Sequence, residues 1–388
     1  MEALLEDERK CRIANDYEGL QKIFEKMMEL CTTDEELASV VRMLSMKRGQ
    51  NKMAMKWMIG ELFNKKKNEE GFIRFFSLIL KDVIEGKIFM EEERIYITED
   101  LKRRYEAGND VENAFDVVIN VPVETFTMLK EFVVINYQLE QLRLCILNMD
   151  WIRADITMKK IRKKYFDTNV ETVGEKVKFY ELSVLLHLGQ RKYFDASCIY
   201  YALSELGVNV CKYVVLSSFF SILTTCDSGL EDFVSKKKEM LTKLAEDKNN
   251  SEASRKMVGM FLADMVIDKS VINEIRDVFC EATNTSKYLN EIVSCIDEHN
   301  FRVIAKFHSS ISIQDMAMIM QTPEDDVINR ISFMVNNNFV NAKIDQKTGM
   351  VDFGTRKWSD NVGNVLDKLI RCNHLIHKER LQASIKED

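Results

Sequence analysis

The chain has 388 residues, the length of two or three domains at about 150 residues each. A charged content of 30% excludes a chain built mainly of membrane spans, and a net charge of −7 excludes any global attraction to nucleic acid or anionic membranes. Two prolines and 14 glycines exclude a strand-rich sandwich or barrel, which needs turn residues every ~8–12 positions, and leave long helices joined by short polar connections.

The start, Met1-Glu2-Ala3-Leu4-Leu5-Glu6-Asp7-Glu8, is acidic and lacks the apolar core of a signal peptide. The nine cysteines include no C-x-x-C pair, which predicts reduced thiols in core positions and a cytoplasmic or nuclear protein. Glu91-Glu92-Glu93 reads as a solvated or partner-facing patch, because three consecutive residues on a helix point in different directions.

Three segments share one pattern. They are Gly108-Asn109-Asp110-Val111-Glu112-Asn113-Ala114, Asn148-Met149-Asp150-Trp151-Ile152-Arg153-Ala154 and Gly189-Gln190-Arg191-Lys192-Tyr193-Phe194-Asp195-Ala196. Each places a turn-prone polar pair six or seven residues before an alanine, and the alanines are 40 and 42 residues apart. That period predicts a solenoid of TPR-like helix pairs, in which the alanine lets paired helices approach closely. Pro122 falls in a connection between two of these helices. The cluster Lys159-Lys160-Ile161-Arg162-Lys163-Lys164 is the best nucleic-acid candidate in the chain, but in an acidic protein it reads first as a solvated face.

Tyr213 to Leu223 is nearly continuously apolar and too short to span a bilayer, which predicts a buried helix. The polar stretch Leu230 to Asp268 predicts a loop and a seam. From Glu291 the pattern changes to a helix over Glu291–His308 with Ile292, Ile296, Val303 and Phe307 on one face. His299 on this helix reads as a satisfied buried histidine. A short strand at Ile311-Ser312-Ile313 and a helix over Gln314–Met320 follow. Thr322-Pro323-Glu324-Asp325 predicts a capped helix start. A hairpin then alternates Val340, Ala342 and Ile344 against Val351 and Phe353. This is the order of a winged helix. Its would-be reading helix carries three acids against Arg330, and the hairpin two lysines against two aspartates, which suits protein better than phosphate. The last segment is one helix with Val362, Val365, Leu369, Cys372 and Ile376 on a coiled-coil-type seam.

No phosphate loop, dinucleotide fingerprint, nucleophile elbow or zinc-protease motif is present in the sequence. His374 and His377, at i, i+3, come nearest to a metal pair. No catalytic, cofactor-binding or metal-binding residue is assigned, and no cofactor is expected. Expected domains are a solenoid over 1–290, a winged helix over 291–355 and a C-terminal bundle helix over 356–388.

Solenoid, winged helix and terminal helix together resemble the PCI-domain family of scaffold subunits. Specific strings resemble the lid subunits of the 26S proteasome regulatory particle, of the non-ATPase subunit twelve type. They are Glu85-Gly86-Lys87-Ile88-Phe89-Met90-Glu91-Glu92-Glu93-Arg94, Val123-Glu124-Thr125-Phe126, Glu140-Gln141-Leu142-Arg143-Leu144-Cys145, Asp150-Trp151-Ile152-Arg153, Glu298-His299-Asn300-Phe301-Arg302-Val303-Ile304-Ala305-Lys306 and Asn373-His374-Leu375-Ile376. The likeness runs from about Leu44, with an N-terminus unlike the family and a compressed stretch around Leu230 to Lys287. It implies a non-enzymatic scaffold. The winged helix would join other PCI-domain lid subunits through the hairpin Phe339 to Phe353. The helix Ser359 to Leu381 would enter the lid helical bundle. The solenoid would reach the ATPase ring and the core particle. The candidate interface residues are thus Val340, Ala342, Ile344, Val351 and Phe353 on the hairpin, with Val362, Val365, Leu369, Cys372 and Ile376 on the helix. Neither nucleic acid nor membrane is expected as a partner. The alternatives are the paralogous scaffold subunit of the signalosome and, more distantly, a winged-helix nucleic-acid binder.

Overall fold

A computed structural model of the chain describes residues 2–67, 69, 71–168, 172–207, 209–224, 231–263, 265–271, 288–336, 340–354, 365–366 and 368–378. It divides into two compact units, Met1–Arg191 and Lys192–Asp388.

The first unit is helical throughout its described elements. They are α1 (Glu2–Ala14), α2 (Tyr17–Leu30), α3 (Asp34–Met46), α4 (Lys52–Lys66), α5 (Phe72–Ile79, continued by a π turn over Leu80–Ile84), α6 (Glu91–Ala107), α7 (Val111–Ile119), α8 (Glu131–Leu147), α9 (Trp151–Lys160), α10 (Lys163–Thr168) and α11 (Val173–Gly189). The repeat turns share one backbone solution. Asn109, Met149 and Arg191 all adopt positive φ, between 56° and 58°. At the first two, the following aspartate closes the preceding helix with its backbone N–H, Asp110 to the Tyr105 carbonyl and Asp150 to the Cys145 carbonyl. The same aspartate then opens the next helix, its carboxylate accepting from the N–H of Asn113 or Arg153. One residue therefore ends one helix and starts the next, which is why the pair recurs with so little chain between. Ala114, Ala154 and Ala196 are all fully buried.

The structure adds an occurrence that the alanine pattern misses. Asn15 has φ of 53°, the Asp16 N–H bonds the Cys11 carbonyl, and Asp16 caps α2 through the Gly19 N–H. Leu20 stands where the other turns have alanine, so the signature is hidden. Stacking shows in the spacing of the long-range bonds. Lys56 reaches Glu92, Arg74 reaches Glu35, Lys102 reaches Glu140 and Lys160 reaches Glu124, at sequence separations of 36 to 39. Equivalent faces of successive pairs thus meet, as a solenoid requires. Gly189 marks a close approach between helices: a Cβ there would sit 2.4 Å from the Trp151 ring. One core of this unit gathers Phe24, Phe72, Phe75 and Phe76; another gathers Val123, Leu142, Phe166 and Phe179.

Glu91 corrects an expectation. It is 5% exposed, and its Oε2 accepts from the backbone N–H groups of Thr127 and Met128, both at 3.0 Å. It holds the connection before α8 rather than facing solvent or a partner. Only Glu92 keeps the surface character expected of the trio, in a 3.1 Å pair with Lys56. Three cations of the basic cluster at the end of α9 meet acids: Lys159 with Asp155 at 2.6 Å, Lys160 with Glu124 at 2.7 Å and Arg162 with Glu131 at 3.5 Å.

The second unit contains α12 (Tyr193–Glu205), α13 (Val210–Leu223), α14 (Glu231–Glu246), α15 (Glu252–Leu262) and α16 (Leu289–Phe307). All eleven residues from Tyr213 to Leu223 are buried, as the apolar run requires. Phe220 stacks on Tyr200 with ring centroids 5.6 Å apart and meets Tyr288 edge-on at 5.4 Å. The polar stretch is not one loop. Lys236-Lys237-Lys238 lie within α14, which buries Met240, Leu241 and Leu244; the half-buried Lys237 shares that face and donates to the Thr224 carbonyl, Lys236 and Lys238 are exposed, and the turn between α14 and α15 spans 247–251. A helix that is charged on one face and buried on the other is amphipathic, and its mean polarity conceals this.

Three details on and beyond α16 also differ from expectation. Phe307 is 65% exposed. His299 is only half-buried, bonding the Met265 carbonyl at 3.0 Å and tilting against Phe261. Thr322 does not cap, since its Oγ1 is buried without a partner.

Core placement fails for several cysteines as well. Cys145 and Cys295 are buried, but Cys198, Cys211 and Cys372 are exposed. Burial, with Asp150 nearby, pushes the Cys145 thiol up to about 11. Burial, with Glu298 nearby, pushes the Cys295 thiol up to about 12. Only thiolate reacts with an alkylating agent. Cys211 and Cys372 are therefore expected to label with iodoacetamide at pH 8 at least ten-fold faster than Cys145 and Cys295. A mass-spectrometric time course checks this, and equal rates would contradict it.

Candidate functional site

The candidate assembly surfaces lie in the second unit. β1 (Ser310–Ser312), α17 (Ile313–Met320), α18 (Glu324–Asn336), β2 (Ala342–Asp345) and β3 (Met350–Phe353) form a winged helix with sheet order β1-β3-β2, antiparallel throughout. Ser312 caps α17 by accepting from the Asp315 N–H. Gln321 ends that helix at φ 53°. Phe301, Ile304, Ile311, Met316, Val327, Ile331, Met334, Val351 and Phe353 make the core, with Phe301 and Phe353 edge to face at 5.7 Å.

The hairpin turn is set by Asp345 and Gly349. Gly349 has φ of 65°, where any side chain would be strained, and donates its N–H to the Asp345 carbonyl at 2.9 Å. Hydrogen bonds from the Thr348 side chain and the Lys347 N–H hold the Asp345 carboxyl below its ordinary range.

Register decides which hairpin atoms are free. Ile344 faces Val351, Lys343 faces Asp352 and Ala342 faces Phe353. The Gly354 N–H bonds the Asn341 carbonyl, while the N–H groups of Phe353 and Ile313 bond the carbonyls of Ser309 and Gly349. In an antiparallel ladder the bonded pairs alternate. Even-numbered residues of β3 therefore bond β2, and odd-numbered ones bond β1. It follows that the backbone N–H and C=O groups of Ala342 and Ile344 point away from β3. No described strand pairs on that side. The five hairpin candidates thus separate by role. Val351 (0% exposed) and Phe353 (8%) sit on the central strand with their side chains in the core. Val340, Ala342 and Ile344 pack partly against that core, and the last two also carry the free edge.

In the terminal segment, residues 365–366 and 368–378 are helical. Val365, Leu369 and Ile376 are 56%, 61% and 54% exposed, and Cys372 is exposed too. Val362 lies outside the described residues. Leu366, Ile370 and Leu375, which the seam does not include, are as exposed as the seam residues, so apolar surface runs around much of this helix. A helix apolar on several sides is stable in water only when other elements cover it.

The acidic start of α18 holds Glu324, Asp325 and Asp326, and its Arg330 is committed to Asp297 and the Ser294 hydroxyl, each at 3.3 Å. Among the described residues no group of three or more His, Cys, Asp or Glu side chains is arranged to hold a metal. Among them, too, no helix is long and apolar enough to cross a membrane.

The arrangement matches known families along its length. The PSMD12/CSN4 N-terminal family model matches residues 1–208, which is more than half of the chain. The chain belongs to the PSMD12/CSN4 family. Within it, the PCI domain model matches residues 254–355, covering the winged helix and the helices before it. The model of the 26S proteasome regulatory subunit RPN5 C-terminal domain matches residues 357–384, which include the helical residues 365–366 and 368–378 that carry the exposed apolar side chains. Full-length relatives agree. The 26S proteasome regulatory subunit RPN5 of Saccharomyces cerevisiae is 26% identical, over 100% of this chain and 92% of its own length. The 26S proteasome non-ATPase regulatory subunit 12 homolog A of Arabidopsis thaliana is 26% identical, over 98% and 96%. The Dictyostelium discoideum non-ATPase regulatory subunit 12 is 24% identical, over 98% and 89%. The family likeness therefore begins at residue 1, not at Leu44, and the N-terminus is not foreign to it. Residues 209–253 fall between the matched models; the stretch that looked compressed, Leu230 to Lys287, lies there only as far as residue 253, and the PCI match covers its remainder.

Proposed function

We propose that this chain is a non-catalytic scaffold subunit of the lid of the 26S proteasome regulatory particle, supporting lid assembly and ubiquitin-dependent protein degradation in cytoplasm and nucleus. The observation that carries the reading is the terminal helix. It exposes six large aliphatic side chains, and it lies in the segment similar to the RPN5 C-terminal domain. Burying one such side chain contributes about 1.5–3 kcal/mol, so a bundle that covers the helix has ample driving force. The β2 edge supplies a second contact with another PCI-domain subunit, through the outward amides of Ala342 and Ile344. The solenoid supplies lateral surface toward the ATPase ring and core particle.

A chain ending at residue 356 tests the reading. It is expected to fold, with the winged-helix core intact, and to be lost from lid particles on a glycerol gradient. Undiminished incorporation would overturn the bundle role.

The strand edge has its own test. Ile344→Pro removes an N–H that makes no bond to β3, so the hairpin is expected to survive in circular dichroism while particle incorporation falls several-fold. Lys343→Pro removes an N–H that does bond β3, and is expected to unfold the wing.

The signalosome alternative shares the N-terminal family, but the match of the terminal helix and the named relatives favour the proteasome. The nucleic-acid alternative is disfavoured by the acids of α18, by the engagement of Arg330 and by the pairing of Lys159 and Lys160 with acids at the end of α9.

A further inference from the structure

Four carboxamide side chains are buried among the described residues: Gln138, Gln141, Asn250 and Asn300. Three of them are engaged. Asn300 clamps the backbone of one residue, accepting from the Ile267 N–H at 2.7 Å and donating to the Ile267 carbonyl at 2.8 Å. Gln141 donates to the carbonyls of Val118 and Val121, at 3.0 and 2.9 Å. Asn250 donates to the Leu244 carbonyl at 2.8 Å. Gln138 stands one turn before Gln141 on α8 and is 3% exposed, yet its side chain makes no hydrogen bond among the described residues.

This amide is not sealed in. It lines a surface pocket of about 230 Å³ between the connection before α8, α8 itself and residues 160–162. The apolar walls are Val123, Phe126, Leu129 and Val134. The charges around the pocket are already matched, Lys160 with Glu124 at 2.7 Å and Arg162 with Glu131 at 3.5 Å. The pocket is therefore electrically balanced, and the Gln138 amide is the polar group there with both bonding atoms unused. A carboxamide offers a donor and an acceptor side by side. Its complement is the N–H and C=O of one backbone residue, the pairing that Asn300 makes with Ile267. Apolar walls around such an amide favour an occupant that brings apolar side chains with its backbone.

We propose that this pocket binds an extended, uncharged stretch of main chain from a neighbouring subunit. One residue of the stretch places its backbone N–H and C=O on the Gln138 amide, and its apolar neighbours lie against Val123, Phe126, Leu129 and Val134. The stretch is extended because a helix spends its amides on itself. This rests on the lid-subunit reading, but it concerns the first unit and neither the terminal helix nor the strand edge.

Gln138→Leu, close in shape but without the amide, tests the proposal. The melting temperature of the isolated chain is expected to hold or rise, because a buried amide without a partner is removed. Exchange of the chain out of purified particles against a tagged competitor is expected to quicken at least five-fold. Benzoylphenylalanine in place of Phe126 is expected to crosslink, within the particle, to another subunit at a segment free of Lys, Arg, Asp and Glu near the crosslinked residue. Gln138→Leu is expected to cut that yield at least five-fold. Four results would overturn the proposal. They are a lowered melting temperature for Gln138→Leu, which assigns the amide to its own chain or to bound water only, an unchanged exchange rate, a crosslink only within the chain or to a charged segment, and no crosslink from a particle that contains the chain. In each of these the lid-subunit reading stands. A chain absent from the particle sinks both.

Discussion

Replacing Glu91 with alanine is expected to destabilise the first unit by about 2–4 kcal/mol. The carboxylate is buried and is the acceptor for two backbone N–H groups, on Thr127 and Met128. Hydrogen bonds to a charged group contribute about 1.5–3 kcal/mol, and removing the acceptor leaves both donors without a partner. The effect is local in origin and wide in consequence. The connection that Glu91 holds enters α8, whose Leu142, Leu144 and Cys145 belong to the core of the following repeat. Glu91→Gln keeps an acceptor oxygen and is expected to lose less than half as much. Glu92→Ala is the control, because a half-exposed pair contributes only about 0–1 kcal/mol. Thermal unfolding of the three variants checks the order. Equal stabilities for Glu91→Ala and Glu92→Ala would contradict the assignment.

The second large effect is on assembly rather than stability. Leu369→Glu together with Ile376→Glu is expected to reduce incorporation into lid particles at least ten-fold, while the isolated chain melts within about 0.5 kcal/mol of the unaltered one. Both side chains are already more than half exposed in the chain, so charge there meets water. In a bundle the same carboxylates would be buried without partners, and even 1.4 kcal/mol of lost association is a factor of ten. A competition between tagged and untagged chains in reconstituted particles gives the ratio directly. A melting loss as large as the assembly loss would mean that the helix packs on its own chain.

These two cases mark how far the sequence could be read. The terminal seam was legible because residues three and four apart share a helix face, and that periodicity is local. What covers the seam was not legible, because a partner leaves no trace in one chain. The repeats were legible through Ala114, Ala154 and Ala196, which recur with their turns. The Asn15–Asp16 turn was missed because its signal is a backbone conformation, and Leu20 replaces the small residue there. Glu91 was read as surface because its partners are 36 and 37 residues away. Glu8 is a second such case: it is fully buried, and receives Arg12 at 3.1 Å, Lys47 at 2.8 Å and Gln50 at 3.2 Å. Burial of a carboxylate depends on what the fold brings to it, which periodicity does not encode. The winged helix lay between these extremes. Strand alternation located both arms of the hairpin. Only the β1 pairing showed that Val351 and Phe353 are central and that Ala342 and Ile344 hold the edge.

The central claim is that the chain works as a subunit of the proteasome lid, and affinity capture of the full chain tests it most directly. Captured material should sediment with 26S particles and hydrolyse a fluorogenic peptide in an ATP-dependent, proteasome-inhibitor-sensitive manner. Material that instead removes NEDD8 from cullins and lacks peptidase activity would contradict the claim and assign the chain to the signalosome.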